Sequence, residues 1–445
     1  MSKSFRLVVF LIFLLAFLIS APLVVLYTAG YRFDLSHGRI VHTAVLNISS
    51  EPRNASIFVD EIPYTDRTPA VLETILPGEH VVRIEKTGYL PWETSLSFES
   101  KEARILGPII LFTSEEPTLQ KSLSAIVVSP HPATNQFAYV TQQSSWLEVW
   151  VVEASTAQTK LLMRLPAIEP YSYSLTWSTN GTYLALSQQH GIQQDLSVVR
   201  VQDGVLIDVA AFTQEIEDVW WDLLTDAYLY VRFGTTVTRL DLETKKREQL
   251  PFHADLVSTF QGKTIALLQS DTRTIISYQE GETATILTYL PLGTYAFADA
   301  PDGLIALEDT KHHRLILLDP QNREQPILLN EEATLWKWSP SAEVLLYSSG
   351  YDLKRYVRAT HETQTLTRLS TPITHVDWFP IGSALVYQSD GQTIALNTDG
   401  STILSQTTLG TSLAGTFWIR PDGTNLSLLR ETDETWEWWT RTLQN

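Results

Sequence analysis

Hydrophobic positions along the chain fall into three regimes. Residues 7–27 read LVVFLIFLLAFLISAPLVVLY, 21 positions without a charge, about 31 Å of helix at 1.5 Å per residue and enough to cross a bilayer. Pro22 lies inside this run, which membrane helices tolerate. From residue 43 the pattern changes to short apolar stretches: 45–48, 56–59, 80–85, 95–98 and 104–112 are predicted as strands. Pro52, Pro63, Pro69, the Pro77-Gly78 pair and Gly88 act as breakers between them, each suited to a turn through a fixed or a positive φ. Val82 and Ile84 alternate with Arg83 and Glu85, the signature of a half-buried antiparallel strand with one wet face. Beyond residue 113 a longer period takes over.

For the apolar run, a cleaved signal peptide with a cut after Ala21 or Ala29 is the rival reading. Its apolar core usually extends over only about 7 to 15 residues, so the pattern predicts an uncleaved single-pass anchor. Lys3 and Arg6 precede the span and Arg32 and Arg39 follow it, a weak positive-inside signal. The short basic tail is assigned to the cytoplasm and everything from about residue 29 onward to the extracytoplasmic side of the cell membrane. Residues 1–29 are then stub and anchor, 30–42 a linker, 43–112 a small β-domain and 113–445 the remainder.

Within 43–112, Ser50-Glu51-Pro52-Arg53-Asn54-Ala55, Ile57-Phe58-Val59-Asp60, Thr68-Pro69, Leu76-Pro77-Gly78 and Gly88-Tyr89 occur in order. This stretch resembles the PEGA domain. It departs from that family at Asn54, where the family has glycine, at Glu61, where glycine usually follows the aspartate, and at Asp66. The resemblance implies a small β-sandwich of extracytoplasmic, surface-exposed proteins and no chemistry. Tyr89 and Trp92 are read as packing residues.

Residues 113–445 repeat an aromatic residue, a short polar turn and an apolar strand. Trp177, Phe297, Trp338, Trp378 and Trp418 head clear copies; Val128, Trp221 and Phe260 centre weaker ones. Steps of 41, 40 and 40 residues follow Phe297, after 49, 44, 39 and 37. That period is one four-stranded blade of a β-propeller. One unit places strands at 335–338, 344–348, 354–359 and 365–369. Eight starts predict eight blades, or seven if one weak copy is misread. The last copy lacks a fourth strand, which residues 118–123 can supply, closing the ring and removing its exposed edges. The repeats resemble those of TolB-type propellers, with Trp-Ser-Pro-Asp-Gly degraded to Trp-Ser-Pro-Ser-Ala at 338–342. The fold class is therefore all-β behind one N-terminal helix. A propeller hosts binding modules and enzymes alike.

Charge narrows the partners. The chain carries 32 basic and 50 acidic side chains, net −18, of which residues 113–445 hold 22 and 39, net −17. Such a balance argues against nucleic acid, whose phosphates require clustered Lys and Arg, and favours basic or neutral partners. Cysteine is absent, which removes disulfides, thiol nucleophiles and Cys-ligated metals.

No local motif supplies catalysis. Gly262-Lys263-Thr264 resembles the end of a phosphate-binding loop, but Val257 stands where its first glycine belongs, so a hairpin turn is predicted. Gly410 to Ala414, around Ser412, lacks the final glycine of a nucleophile elbow. His312-His313 would face opposite sides of a strand and is read as a loop pair. Glu331-Glu332, Asp433-Glu434 and Glu215, Glu217, Asp218 are local carboxylate groups that one sequence cannot set across a cleft. Ser389-Asp390-Gly391-Gln392-Thr393 does not satisfy a sialidase-type Asp box. No cofactor or metal is assigned. Of 13 tryptophans, Trp146, Trp150, Trp436, Trp438 and Trp439 lie outside the repeat register, and Trp436, Trp438 and Trp439 are named as a candidate ligand-contact surface. Asn47, Asn54, Asn180 and Asn425 begin Asn-x-Ser/Thr triplets, meaningful only in a glycosylating host.

The sequence is read as a membrane-anchored extracytoplasmic binding or scaffolding protein of the cell envelope. It is held in the lipid bilayer by residues 7–27 and presents propeller loops to an envelope protein or glycan. Two alternatives stand beside this: an extracytoplasmic hydrolase or lyase with its site in the propeller channel, and a self-assembling structural protein. Ligand, binding face and oligomeric state are left open by the sequence.

Overall fold

The computed structural model describes residues 3–34, 38–131, 134–167, 172–190, 193–207, 209, 216–381, 384–398, 403–411, 415–433 and 435–444. A single helix, Lys3–Thr28, contains the apolar run and Pro22; it is long and apolar enough to cross a membrane. Its C-terminal carbonyls are capped by Arg32, whose guanidinium donates to the Tyr27 carbonyl at 2.8 Å and lies 3.7 Å from the centre of the Tyr27 ring. Residues 30–42 are more than a linker: Tyr31–Asp34 pairs antiparallel with Arg39–His42.

The small domain is a sandwich of two sheets. Ala70–Ile75, Ala44–Glu51 and Ala103–Ile110 form one, with a parallel pair between the last two; Ile62–Arg67, Ser56–Val59, Gly78–Glu85 and Trp92–Phe98 form the other. Leu46, Ile48, Ile57, Val82, Ile84 and Trp92 fill the space between them. Val82 and Ile84 are buried and Arg83 and Glu85 half-buried, as alternation requires. Two strands escape the sequence reading, 62–67 and 70–75, because Pro63 and Pro69 look like breakers. Ile62–Arg67 is an edge strand of its sheet, where proline costs no ladder hydrogen bond.

Residues 118–444 form eight four-stranded antiparallel sheets among the described residues, which decides between seven blades and eight. The innermost strands are Val127–Pro130, Ser172–Trp177, Asp218–Trp221, Leu256–Phe260, Tyr295–Ala298, Leu335–Trp338, Ile373–Trp378 and Thr416–Ile419, and each holds one of the repeat's marker residues. Blade 8 completes itself with Thr118–Leu123, which pairs antiparallel with Trp436–Thr442. First and last segments of the propeller thus share one sheet and the ring has no open edge.

The marker tryptophans act across blades. From the ends of the inner strands of blades 2, 6 and 7 the indole N–H reaches back to the preceding blade: Trp177 to the Ser129 carbonyl at 3.1 Å, Trp338 to the Asp299 carbonyl at 3.2 Å and Trp378 to the Lys337 carbonyl at 3.1 Å. Trp418 closes the circle onto the Asn135 side chain of blade 1 at 2.8 Å. One residue type therefore supplies apolar area between blades and a directional bond that sets their spacing.

Consecutive strands in a blade are antiparallel, so turns between first and second and between third and fourth strands share one face of the ring. The small domain docks on that face at blades 7 and 8. Ile110 and Phe112 join a buried cluster with Phe379, Ile419, Leu426 and Leu443. Asn397, itself buried, accepts from the Ile110 amide at 2.9 Å and donates to the Ile110 carbonyl at 3.2 Å.

Candidate functional site

On the docked face, hereafter the near face, the turns of blades 2 to 6 surround a recess of about 950 Å³ at the channel mouth. Its walls include Trp177, Phe260, Trp336 and Trp338. Trp336 and Trp338 stand two apart on one strand and so lean the same way; both pack on the blade 5–6 core. The indole N–H groups of Trp177 and Trp338 are engaged by backbone carbonyls, so these rings offer the recess apolar and π surface. Asp299 and Asp302 from the blade 5 turn are exposed at the rim, and among the described residues no Lys, Arg or His lies within ion-pair distance of either carboxylate.

Blade 7, which does not line the recess, carries two further ionisable groups. His375 and Asp377 are two apart on the inner strand Ile373–Trp378 and share a face. The His375 ring meets Phe417 edge-on at 4.5 Å. Burial pushes its pKa down to about 4, against the hydrogen bond the ring donates to the Phe417 backbone and with a further push from Lys337, so the ring is neutral at pH 7. Asp377 is pushed up by burial, opposed by Lys337 and by the amides of Trp378 and Ile419. Lys337 Nζ lies 4.0 Å from Asp377 Oδ1.

The opposite, far face carries a smaller cavity of 320 Å³ lined in part by Trp220, Arg232 and Tyr295. Arg232 is already paired there with Asp218 and, at 3.7 Å, with Glu217. Phe233 and Tyr351 are half exposed in far-face turns, singly and without a recess between them.

The tryptophans named from sequence occupy a different place. Trp438 is 2% exposed and packs against Phe137 at 5.4 Å, Trp436 is half-buried in the same cluster, and Trp439 packs on the blade 7–8 core with its Nε1 donating to Glu437 at 3.0 Å. The correction has a plain cause. Strand Trp436–Thr442 is paired on both edges, by Asn425–Glu431 and by Thr118–Leu123, and blades 1 and 7 cover its two sides, so no open aromatic platform forms. Trp150 stacks on Tyr139 at 6.5 Å; Trp146 is 47% exposed, alone.

Other sequence candidates resolve as turns. Gly262 at φ +76 turns the hairpin between Leu256–Phe260 and Lys263–Gln269, and Asp390-Gly391 turns that between Ala384–Ser389 and Gln392–Thr398. His312 Nδ1 donates to Asp309 Oδ2, 2.7 Å away, in a turn where His313 has φ +51. Ser412, Glu215 and Glu434 lie outside the described residues. Among the described residues no three His, Asp or Glu side chains gather as a metal site. Sequence reading missed Asp299, Lys337, His375 and Asp377 and used Asp302 only as a turn former. The one available signal was the second tryptophan in Trp336-Lys337-Trp338, outside the repeat's needs.

The fold is a closed eight-bladed propeller on a small β-sandwich behind an apolar helix. Residues 43–105 match the PEGA domain family, so the chain combines a PEGA domain with a β-propeller. No curated protein matches the chain by sequence. Among solved structures it is similar to Sqt1 of Saccharomyces cerevisiae, 12% identical over 75% of this chain and 100% of that one with TM-score 0.48. It is also similar to the Dos1 propeller, 14% identical over 73% and 94% with TM-score 0.45. A third is an oligogalacturonate lyase in complex with manganese, 12% identical over 74% and 97% with TM-score 0.40. These likenesses are distant, and the propeller assignment rests on the eight sheets and their closure.

Proposed function

We propose that this chain is a membrane-anchored binding protein of the cell envelope, with its PEGA domain and propeller outside the membrane, which holds an envelope protein or glycan at the near-face mouth. The observation that carries this reading is the recess of about 950 Å³ walled by aromatic rings, a size and lining typical of ligand sites. A closed ring presents it with little ordering cost on binding, and anchoring confines the search to the membrane plane.

The chain has no cysteine, so single-cysteine variants report without background. Leu224→Cys places a thiol in the recess and Tyr351→Cys one on the far face. A membrane-impermeant maleimide should label both in cells with only the inner membrane intact; labelling that requires lysis contradicts the orientation. A bifunctional reagent on Leu224→Cys should capture an envelope component that Tyr351→Cys does not, and equal capture from both faces contradicts the site.

A hydrolase or lyase reading is favoured by one feature, the largely buried Asp377 on the inner strand of blade 7. Turnover of an envelope polymer that Asp377→Asn abolishes would establish it.

A further inference from the structure

We propose that the mouth selects cationic partners, taking Lys or Arg side chains of a basic protein segment between its carboxylates and its aromatic wall. This rests on the near-face mouth being the binding site and names what that site takes.

Four observations converge. Asp299 and Asp302 stand three residues apart on one turn, exposed, and no cation among the described residues pairs with them. Trp336 and Trp338 are beside them in the same recess, and an indole face attracts a cation through its quadrupole. The small hydroxyls of the recess wall are already used inside the protein. Ser178 Oγ accepts from the Tyr183 amide at 3.0 Å and Thr179 Oγ1 donates to the Asp222 carbonyl, which leaves the carboxylates with Asn180 and Gln261 as the rim's free polar groups. Finally, the propeller's charge of −17 steers cations toward it from a distance.

Two basic side chains border the recess, each beside an oxygen acceptor of its own. Lys337 sits against Asp377. Arg358 donates to the main-chain carbonyl of Asp302 at 3.0 Å and leaves that residue's carboxylate uncovered. Its charge nevertheless opposes a second cation at the turn, so removing it should strengthen binding, a sign that a purely structural arginine would not produce.

The test uses the full chain in phosphatidylcholine nanodiscs, whose zwitterionic surface does not collect basic peptides. A fluorescein-labelled alternating Gly-Lys octapeptide is titrated by anisotropy at low ionic strength. Wild type should bind it, with affinity falling steeply in about 0.5 M salt, where screening acts within a few Å. Asp299→Asn with Asp302→Asn should weaken binding by about tenfold through loss of two partly open charge contacts. Arg358→Gln should tighten it a few-fold, and Asp433→Asn, in a far-face turn, should leave it unchanged. Absence of binding to wild type, or equal binding by the double variant, overturns the proposal. So does binding of a neutral oligosaccharide in preference to the peptide. If that sugar is displaced by a maleimide adduct on Leu224→Cys, the mouth is still the site and only the cation preference falls; if neither probe responds to the adduct, the site falls as well.

Discussion

Ala342 sits at φ +59 in the turn after Trp338, where the corresponding turns elsewhere in the ring hold Gly181 at +74, Gly303 at +87 and Gly423 at +73. The Ala342 amide closes the turn onto the Ser339 carbonyl at 2.8 Å, as Gly181 does onto Ser178, so the backbone shape is retained and the side chain carries the strain. An L-residue in this region costs about 1–2 kcal/mol, partly offset because glycine loses more entropy on folding. Ala342→Gly should therefore stabilise the propeller by about 0.5–1 kcal/mol, seen as a raised melting temperature; an unchanged or lower one contradicts the strain. Asn54 at +66 and Glu61 at +64 tell the same story in the PEGA domain, at two of the positions where the sequence departs from the family's glycines. Glu61 also pairs with Arg83 at 2.7 Å, a contact that is open to solvent on the Glu61 side and worth little. His375 makes a prediction of opposite kind. Unfolded, its ring protonates near 6.5, and folded only near 4. Between those values the unfolded chain binds a proton that the native one refuses, so stability should decline as pH falls from 6.5 toward 4, by on the order of 3 kcal/mol. Asp377, raised in the fold, acts in the other sense and gains stability as pH falls through its own titration. His375→Gln isolates the histidine: urea midpoints at pH 7 and pH 4.5 should differ less in the variant than in wild type.

At the scale of elements, the propeller was readable because its period is produced by contacts that recur once per blade. In blades 2, 3, 6 and 7 a tryptophan at the end of the inner strand reaches the preceding blade, and the reach fixes both its type and its spacing. Where phenylalanine replaces it, at Phe260 in blade 4 and Phe297 in blade 5, that residue makes no indole bond; Phe260 heads one of the weaker copies, while Phe297 still heads a clear one. The fourth strand of blade 8 was legible for a topological reason, since an unpaired edge left by the last copy had to be met by residues 118–123. Prolines hid two PEGA strands because a one-dimensional reading cannot tell an edge from a centre. The mouth left a single trace, the extra tryptophan in Trp336-Lys337-Trp338. Its residues come from turns of five blades, each turn locally ordinary, and only ring closure brings Asp299 and Asp302 beside Trp336 and Trp338. The candidate Trp436 to Trp439 group failed for the complementary reason: local aromatic density says nothing of what covers it. The indole bonds are testable one at a time. Trp378→Phe keeps most of the ring's bulk and removes the N–H to Lys337, leaving that carbonyl unpaired in the seam. It should cost about 1–2 kcal/mol, with faster amide exchange confined to blades 6 and 7; loss of protection around the whole ring would contradict a seam-by-seam account.

At the scale of the molecule, the PEGA domain is a structural part of the ring's closure rather than a spacer. Chain enters the propeller from it at Thr113, and the C-terminal strand ends against it. The Thr113 amide donates to the Leu443 carbonyl at 3.0 Å, Arg441 donates to the Thr113 carbonyl at 2.9 Å, and Gln444 reaches the Glu51 carbonyl at 3.1 Å. Phe112 meets Phe379 edge-on at 5.5 Å, burying the near-face ends of blades 7 and 8. Blade 8, which contains the first-to-last strand joint, is thus covered by the small domain together with its neighbour blade 7, while the mouth over blades 2 to 6 stays open beside it. A fragment of residues 113–445 keeps the joint but exposes Phe379, Ile419 and Leu443 and leaves Asn397 without the Ile110 backbone. It should melt at a lower temperature than residues 43–445, and residues 43–445 should show one calorimetric transition, because neither part can open the shared cluster alone. Asn397→Ala, which strips both bonds from the buried Ile110 backbone at a cost of about 2–3 kcal/mol, should move the longer fragment toward the shorter one. Equal melting temperatures for the two fragments, or a separate early transition of the PEGA domain, would show that the small domain only tethers the ring.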